Sequence, residues 1–444
     1  MLRIHFVGFG GVKNMINIQR VSLKSFRNID VLDLVFSKIT SILSVNSFGK
    51  SNLLNGIDFG IDFITKSVDV RKDMMCWAPA IPYNKNIKKK EFCFEIEFDV
   101  NFDKDFYRVL YGYSFSWSAD EKKPGKILNE YLSVKEKNKS QKFKSYIKRD
   151  KKISFYKPST SGQCNKEIKI GDMELIINKL KAYDDLFYIN IVETINDIKI
   201  YIDRHFDSNK NFAYSPFAMK ENCNNGLLNE NSVPRILNNI KNNNPDKFEL
   251  IINSFKDLFP FITDLKVDSI TLEPDKKMDS KLNGSEPFSV ASEFFYLYVK
   301  DKNLSGILPF EFMSDGAKRI LSIFTYLTLA EINNYPLVAV EEPENSVNPR
   351  LMQQYLIALS GFLNNSKLII TSHSPHLINY INPSNIYLGI PNDLGIAKFS
   401  KIKDSLSNKV MRDADQLSVL SGDYLFDLMS GTGEDVEVLA SYVE

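Results

Sequence analysis

The 444-residue chain has few cysteines, no long apolar run and almost no net charge. Its cysteines, Cys76, Cys93, Cys164 and Cys223, lie far apart without a C-x-x-C pair. Neither a zinc site nor a disulfide framework is therefore indicated, which fits a reducing cytoplasm. No apolar run approaches the roughly 18 residues that a membrane-spanning helix needs. A net charge of +1 argues against a chain that coats nucleic acid over its whole surface.

Other absences narrow the organisation of the chain. No sustained heptad run and no internal repeat is visible, so we expect no long coiled-coil arm. The opening segment MLRIHFVGFGG lacks a small-residue cleavage site, and we expect no signal peptide. With 43% hydrophobic and 25% charged residues, the composition is that of a globular protein with two or three lobes.

A candidate phosphate-binding loop lies at SVNSFGKSN, between the apolar strand pattern KITSILSV and a helical pattern that begins at Lys50. This strand-loop-helix order is the context that such a loop requires. Lys50 would neutralise phosphate oxygens and Ser51 would ligate Mg²⁺, while main-chain NH groups wrap the phosphate. The candidate nucleotide-binding residues are Asn46, Ser47, Phe48, Gly49, Lys50, Ser51 and Asn52.

This loop departs from the pattern G-x-x-x-x-G-K-[ST]. Ser44 stands in place of the first glycine, Ser47 in place of a middle one, and Phe48 at a position that is usually small. A non-glycine residue held in a left-handed conformation costs about 1 to 2 kcal/mol. Charge-assisted contacts to a triphosphate outweigh that cost, so we expect nucleotide binding to survive.

A second candidate segment is PLVAVEEPENSVNP, in which a buried strand ends in Glu341 and Glu342. We expect both acids at the carboxyl edge of the sheet beside the phosphate loop. Successive strand residues point to opposite faces, so the two acids should differ in role. Glu341 would lie at the magnesium ion and Glu342 would polarise the attacking water.

A third segment, SKLIITSHSPHLINYI, predicts a buried strand over Leu368 to Ile370 followed by a polar turn, Thr371-Ser372-His373. A histidine just past a strand can hydrogen-bond a γ-phosphate or the hydrolytic water. An isolated histidine is more often structural. Here two of only four histidines share one turn that follows the paired glutamates, which favours a catalytic His373.

The fourth segment, FEFMSDGAKRILSIFTYLTLAEI, predicts a helix whose N-cap is Ser314. Its first NH donors would either be satisfied locally or face an anion. The position one strand ahead of the glutamates favours the second interpretation for Ser314, Asp315 and Gly316.

In chain order, four segments resemble motifs of the ABC-type ATPase heads in the SMC, RecF and OLD families. SVNSFGKSN is similar to a Walker A loop, MSDGAKR to the signature, VAVEEPENSVNP to Walker B followed by the D-loop, and IITSHSPHL to the switch-histidine motif. EEPE together with TSHSPHLI is especially similar to OLD-like ATPases, including the ATPase subunits of the antiphage systems PARIS and Septu. The resemblance spans about Asn17 to Gly389, and the hairpin pattern from Asn17 to Phe36 agrees with it. It implies a P-loop NTPase of the α/β class, with a mixed central sheet, an antiparallel β-subdomain and a helical lobe.

The resemblance also implies the cofactors ATP and Mg²⁺ and a homodimer of heads, or a higher homo-oligomer. Each ATP would lie between Lys50 of one copy and Ser314 and Gly316 of the other. Glu341 stands where aspartate is commoner and Asn348 where histidine is usual, which predicts slow turnover. Neither Gln141 nor Gln163 is placed well for a glutamine loop. Fewer residues follow His376 than a TOPRIM domain needs, so we expect no nuclease domain in this chain.

The predicted domain order has five parts. They are an N-terminal extension (1–14), the first part of the ATPase head (15–160), a helical insertion (161–262), the second part of the head (263–400) and a C-terminal helical tail (401–444). Within the insertion, the pattern from Asp172 to Asp203 predicts helices.

The leading functional hypothesis is a cytoplasmic ATPase that switches a separately encoded effector, a nuclease, in antiphage defence. One alternative is a RecF-like or SMC-like DNA repair ATPase, since the run from Lys135 to Lys152 holds nine basic residues with Phe143 and Tyr146 among them. A solvated hairpin explains that run as well. The other alternative is a nucleotide-locked scaffold that hydrolyses little ATP.

Overall fold

The computed structural model describes residues 15–82, 84–87, 91–102, 105–136, 140–150, 153–203, 211–212, 217–219, 232–271, 288–290, 293–390, 394–431 and 433–443. The predicted N-terminal extension, 1–14, lies outside the described residues. So do residues 137–139 and 151–152 of the basic run, and residues 220–231. Among the described residues, no helix combines the length and apolar character needed to cross a lipid bilayer.

The chain forms two compact units, each assembled from separate stretches of sequence. The first unit draws on 1–36, 55–200 and 334–336, and the second on 37–54, 201–333 and 337–444. Every candidate site residue, from Asn46 to His373, belongs to a stretch of the second unit.

An eight-stranded antiparallel sheet forms the first unit, in the order β2-β1-β4-β5-β6-β7-β8-β9. Its strands are β1 (Ile16–Phe26), β2 (Ile29–Val35), β4 (Glu91–Phe102), β5 (Asp105–Ser116), β6 (Ile127–Glu136), β7 (Lys144–Arg149), β8 (Ser154–Tyr156) and β9 (Lys166–Glu167). The predicted hairpin is confirmed, because β1 and β2 pair antiparallel about a turn at Arg27 and Asn28. The helices of this part of the chain are α1 (Lys50–Thr65), which begins in the second unit, α2 (Val68–Cys76), α3 (Ile176–Leu180) and α4 (Ile189–Asn196).

A six-stranded mixed sheet is the centre of the second unit, in the order β10-β16-β17-β3-β18-β19. Its strands are β3 (Ile39–Ser44), β10 (Ile200–Asp203), β16 (Leu337–Glu341), β17 (Lys367–Ser372), β18 (Ile386–Gly389) and β19 (Phe399–Lys401). Strands β16, β17, β3 and β18 run parallel, and β19 is antiparallel to β18. Four apolar residues of β16, Leu337 to Val340, are buried, as expected for a parallel strand inside a sheet.

Smaller elements complete the second unit. A three-stranded sheet contains β12 (Ile262–Thr271), β14 (Glu293–Asp301) and β15 (Ile307–Pro309), and β11 (Phe217–Met219) pairs with β13 (Phe288–Val290). The helices are α5 (Val233–Asn243), α6 (Pro245–Leu258), α7 (Asp315–Ile332), α8 (Met352–Phe362), α9 (Pro375–Ile378), α10 (Ser407–Gln416), α11 (Ser421–Ser430) and α12 (Glu434–Val443). Helix α7 is buried over fifteen consecutive residues, Gly316 to Ala330, so it is a core helix.

The α/β class with a mixed central sheet and a separate antiparallel sheet is confirmed, but two local predictions are wrong. The helical pattern over Asp172 to Asp203 ends in strand β10, which is the edge strand beside β16. Strand pairing with β16 overrides the local pattern there. Strand β17 also continues through Thr371 and Ser372, because both residues pair with β3, so the turn begins at His373.

Candidate functional site

Three chain segments meet where neighbouring parallel strands end. The phosphate loop follows β3, the paired glutamates follow β16, and His373 follows β17, which lies between the other two strands. The carboxyl ends of parallel strands share one edge of a sheet, which is where open α/β sheets bind ligands. Glu341 and Glu342 are therefore one strand away from the phosphate loop, with the switch-histidine strand between them.

The phosphate loop takes its left-handed conformations at Ser47 and Gly49, with φ of 59° and 129°. Ser44 is the last residue of β3 and is fully buried, so the residue in place of the first glycine is extended strand. Strain from the missing glycines thus falls on Ser47 alone, at a cost of about 1 to 3 kcal/mol. Asn46 and Ser47 are exposed at the tip of the loop.

Phe48 fixes the loop to the neighbouring strands. Its ring packs edge-on against Phe399 of β19, with ring centroids 5.4 Å apart. It also lies over Gly389 of β18, where an added Cβ would come within 2.7 Å of the Phe48 Cδ1. The large side chain at this usually small position therefore anchors the loop to its own sheet.

Lys50 lies at the N-terminus of α1 and is buried. Its Nζ donates to the main-chain oxygens of Ser44 and Val45, at 2.8 and 3.3 Å, and to the Ser44 hydroxyl at 3.2 Å. Burial lowers the pKa of Lys50 to about 8, against the attraction of Glu342, Glu344 and Glu341. The ammonium group is thus held at the base of the loop among three carboxylates.

His373 connects this lysine to the second acid. Its Nδ1 lies 3.0 Å from the Lys50 Nζ and its Nε2 lies 2.8 Å from the Glu342 Oε1. An ammonium can only donate, so Nδ1 accepts and the ring proton resides on Nε2, which donates to Glu342. Burial and the nearby Lys50 charge lower the pKa of His373, while Glu342 opposes them. The imidazole is therefore neutral near pH 7.

Both carboxylate oxygens of Glu342 accept hydrogen bonds that fix its orientation. One carboxylate oxygen accepts from His373 and the other from the Asn345 side-chain amide. Its NH donates to the Thr371 oxygen at 2.8 Å, and its φ of 48° lies in the left-handed region. Such strain persists only where surrounding contacts enforce it and is concentrated at functional sites. About a third of this side chain remains exposed, so water reaches it.

Ser51 and Glu341 are the candidates for Mg²⁺. Ser51 is exposed in the first turn of α1, and Glu341 ends β16 with partial exposure. Among the described residues, no group of three His, Cys, Asp or Glu side chains is placed to hold a metal ion by itself. Magnesium commonly takes one or two protein ligands and completes its shell with water and substrate phosphates. The sparse oxygen set therefore fits Mg²⁺ that arrives with a nucleotide.

Arg319 is a site residue that the sequence reasoning missed. Its guanidinium donates to the Glu341 main-chain oxygen at 2.6 Å and pairs with Asp203 of β10 at 2.9 Å. Both side chains of the pair are almost completely buried. The signature helix α7 therefore holds the strand end that carries the acids. The sequence signal that could have identified Arg319 is an arginine in the largely apolar pattern of this helix.

Glu344, the last residue of the EEPE motif, contacts the turn that carries His373. Its side chain is buried, and one oxygen accepts from the Ser372 hydroxyl and from the His373 NH at 3.4 Å. Burial raises the pKa of Glu344. Its other oxygen has no hydrogen-bond partner among the described residues. Glu344 thus fixes the start of the turn that carries His373.

The signature residues make contacts of their own. Ser314 caps α7, with its hydroxyl accepting from the Ala317 NH at 3.3 Å. A Cβ on Gly316 would lie 2.2 Å from the Ser346 main-chain oxygen, so only glycine fits there. Asp315 lies 3.8 Å from Lys318 in the same helix. These contacts place the signature turn against the segment that follows the paired glutamates.

Several residues of the basic run from Lys135 to Lys152 contact the protein itself and are therefore not available to bind nucleic acid. Arg149 is buried and donates to the main-chain oxygens of Glu174 and Gly171. Lys144 pairs with Glu136 at 2.8 Å. Tyr146 is 1% exposed, so it cannot stack on a nucleic-acid base.

Comparisons with known proteins found one family model and several solved structures that match. A family model described as "AAA domain, putative AbiEii toxin, Type IV TA system" matches residues 183–379, a range that includes the signature, the paired glutamates and His373. No curated protein matches the chain.

Solved structures define the fold. An SMC head bound to the C-winged helix domain of ScpA is 15% identical, with a TM-score of 0.50, over 88% of this chain and 99% of that one. The SMC head domain from Thermotoga maritima is 12% identical, with a TM-score of 0.44, over 87% and 99%. A structure of the recombination mediator protein RecF, described as RecF-ATPrS, is 13% identical, with a TM-score of 0.38, over 87% of this chain and 99% of that one. The first of these similarities shows that the fold of this chain is similar to that of an SMC head.

Proposed function

We propose that this chain binds and hydrolyses ATP with Mg²⁺, and that this cycle switches a separately encoded effector, a nuclease, in bacterial antiphage defence. The observation that carries the enzymatic part is the chain of hydrogen bonds from Lys50 through His373 to Glu342. A phosphate-loop lysine is thereby joined to an oriented, water-accessible carboxylate.

Each residue has a distinct task in this proposal. Lys50 binds the phosphates, and the NH groups at the start of α1 receive their negative charge. Glu342 accepts a proton from, or polarises, the attacking water, and His373 holds Glu342 in position through its Nε2 proton. Ser51 and Glu341 would hold Mg²⁺, which neutralises the phosphate charge when it is bound.

We propose further that two copies of the chain enclose the nucleotide, with Ser314 and Gly316 of one copy facing Lys50 of the other. Ser314 and Asp315 are exposed at the start of α7, which supports this arrangement because a second copy has access to them. One solved structure of similar fold is an SMC head bound to a domain of another protein, ScpA, which supports a protein effector as the partner.

The antiphage role is supported by the family match. The matching family model is named after a toxin of a type IV toxin–antitoxin system, which favours a defence context over a transporter or a repair complex. In the described residues, Tyr146 and Arg149 of the basic run are turned to the protein itself, so the repair alternative gains no support from them.

Phosphate release and molecular mass test the enzymatic and dimer parts together. The wild-type chain should release phosphate, and Glu342→Gln should lower the rate by about a hundredfold or more, the usual contribution of a general base. The same variant should accumulate as a dimer with ATP and Mg²⁺ in light scattering. A wild-type chain that neither hydrolyses ATP nor dimerises would refute the proposal. Purification of the chain from its native host in the presence of ATP tests whether an effector protein binds to it. Isolation of the chain without any bound protein would count against an effector.

A further inference from the structure

The three C-terminal helices share one apolar core with the strand that precedes the phosphate loop and with the short helix that follows His373. This core includes Leu43 of β3 and Ile378 of α9 together with residues of α10, α11 and α12, and Val45 of the phosphate loop packs against it. Leu43 and Ile378 are fully buried. The helices that follow the sheet are thus packed against both the phosphate-loop strand and the segment that carries His373.

Asn379 and Asp423 join the switch segment to α11 through a reciprocal pair of hydrogen bonds. The Asn379 Nδ2 donates to the Asp423 Oδ2 at 3.1 Å, and the Asp423 NH donates to the Asn379 Oδ1 at 3.1 Å. Asn379 is the C-cap of α9, the short helix that begins two residues after His373. Both ends of the Asn379 amide are used, which fixes its orientation.

Gly422 lets α11 approach α9 without any intervening side chain. An added Cβ at Gly422 would lie 2.5 Å from the Asn379 Oδ1, and 2.7 Å from both the Asn379 nitrogen and the Pro375 oxygen. Two of these three atoms are main chain, so a larger residue would displace one helix from the other. The contact is therefore direct and rigid.

A buried hydrogen-bond network unites the C-terminal helices. The Tyr442 hydroxyl of α12 donates to the Asp413 carboxylate of α10 at 2.6 Å and lies 2.8 Å from the Tyr424 hydroxyl of α11. Tyr424 follows Asp423 directly. A displacement of α11 would therefore act on α10 and α12 as well.

We propose that Asn379 and Asp423 are positioning residues of the nucleotide switch, which fix α9, and with it His373, against the C-terminal helices. A change in the position of His373 at the nucleotide would then be transmitted to Ser421–Ser430. This inference rests on the proposed ATPase function and adds the element that reports the nucleotide state inside the chain. Asn379 and Asp423 act through His373.

Steady-state hydrolysis by the full chain tests this assignment. Asn379→Ala, Asp423→Ala and Gly422→Ala should each lower kcat by about tenfold to a hundredfold, as expected for a displaced catalytic group, and should leave ATP affinity within about twofold. The double variant Asn379→Ala/Asp423→Ala should be no slower than the slower single variant. Asp423→Asn keeps an acceptor for the Asn379 amide and should retain most of the rate. Gly361→Ala, at a helix position with open space around the added Cβ, is the matched control and should be unchanged.

Hydrogen exchange supplies a second measurement that does not depend on turnover. ATP and Mg²⁺ should alter exchange in both 373–380 and 421–430 of the wild-type chain, and only in 373–380 of Asn379→Ala. Variants with normal kcat and a lower melting temperature alone would show a merely structural contact and overturn the inference. A wild-type chain that hydrolyses ATP without any change in 421–430 would overturn it too and leave the ATPase intact. Absence of ATP binding by the wild type would remove both proposals.

Discussion

Gly389 lies directly opposite Ser44 in the register of β18 and β3, and an added Cβ at Gly389 would come within 2.5 Å of the Ser44 Cβ. The same Cβ would also meet the ring of Phe48. The phosphate loop lacks its first glycine, and a glycine on the neighbouring strand provides the space that Ser44 and Phe48 occupy. The unusual loop and its neighbouring strand thus fit each other.

Gly389→Ala should lower both stability and ATP affinity. Overpacking at this site should cost about 1 to 3 kcal/mol in the free energy of unfolding, because the nearest atom is close to the main chain of the loop. Urea unfolding and ATP titration measure the two effects. Gly306→Ala, which has no atom near its added Cβ, is the control. Ser44→Gly combined with Gly389→Ala should recover part of the loss, and failure to recover any would argue against the steric explanation.

Arg319→Met should destabilise the chain by about 3 to 5 kcal/mol, because it leaves the buried Asp203 carboxylate without this ion pair. It should also lower the hydrolysis rate, since Glu341 loses the contact at its main-chain oxygen. Chemical unfolding and phosphate release report the two consequences. Lys401→Met removes an exposed ion pair with Asp404 and should cost no more than about 1 kcal/mol. Equal costs for the two substitutions would contradict the role given to Arg319.

His373 should titrate below the usual histidine value of about 6.5 in the nucleotide-free protein. Lys50→Ala should raise the pKa of His373, because the nearby positive charge is removed. Glu342→Gln should lower it further, because the negative charge that favours the protonated ring is removed. The neutral ring then prevails above the lowered pKa, and the Lys50 contact is lost as the pH falls through it. NMR titration of the ring protons measures the pKa of His373 in the wild type and in the two variants. A wild-type pKa above the usual value would show that the ring is charged in this site.

Duplex DNA affinity should not depend on the exposed Lys142 and Lys148, because the proposed switching of a protein effector needs no DNA contact in this segment and its Arg149 and Lys144 have partners within the protein. The substitutions Lys142→Glu and Lys148→Glu should therefore leave any DNA binding and its salt dependence unchanged in a fluorescence titration. Loss of affinity with a salt slope reduced by about two would instead restore the nucleic-acid interpretation of this segment.

The sequence predicted elements with strong local signals and missed contacts made across the sheet. The strand before Lys50, the helix after it and the strand ending at Glu341 follow from apolar periodicity and are found as expected. Strand β10 was missed because a short edge strand gains its identity from its neighbour, β16. The placement of Lys50, Glu342 and His373 at one edge of the sheet could be predicted from the sequence, because each of them follows a strand of the parallel sheet.

The remaining site contacts have no signature in the local sequence. Gly389 and Ser44 are far apart in the chain and meet only through strand register. Asp203 and Arg319 likewise meet only in the folded unit. The left-handed conformations of Ser47 and Glu342 oppose residue preference and depend on the surrounding structure. Tertiary packing decides such features, and no single-segment pattern predicts them.

Equilibrium ATP binding by Lys50→Ala and Glu342→Gln, measured beside the wild type with Mg²⁺ present, tests the central claim most directly. The account predicts that Lys50→Ala loses ATP binding, since the cation that faces the phosphates is gone. Glu342→Gln should bind ATP as tightly as the wild type while hydrolysing almost none. Equal loss of binding in both variants, or undiminished binding in Lys50→Ala, would contradict it.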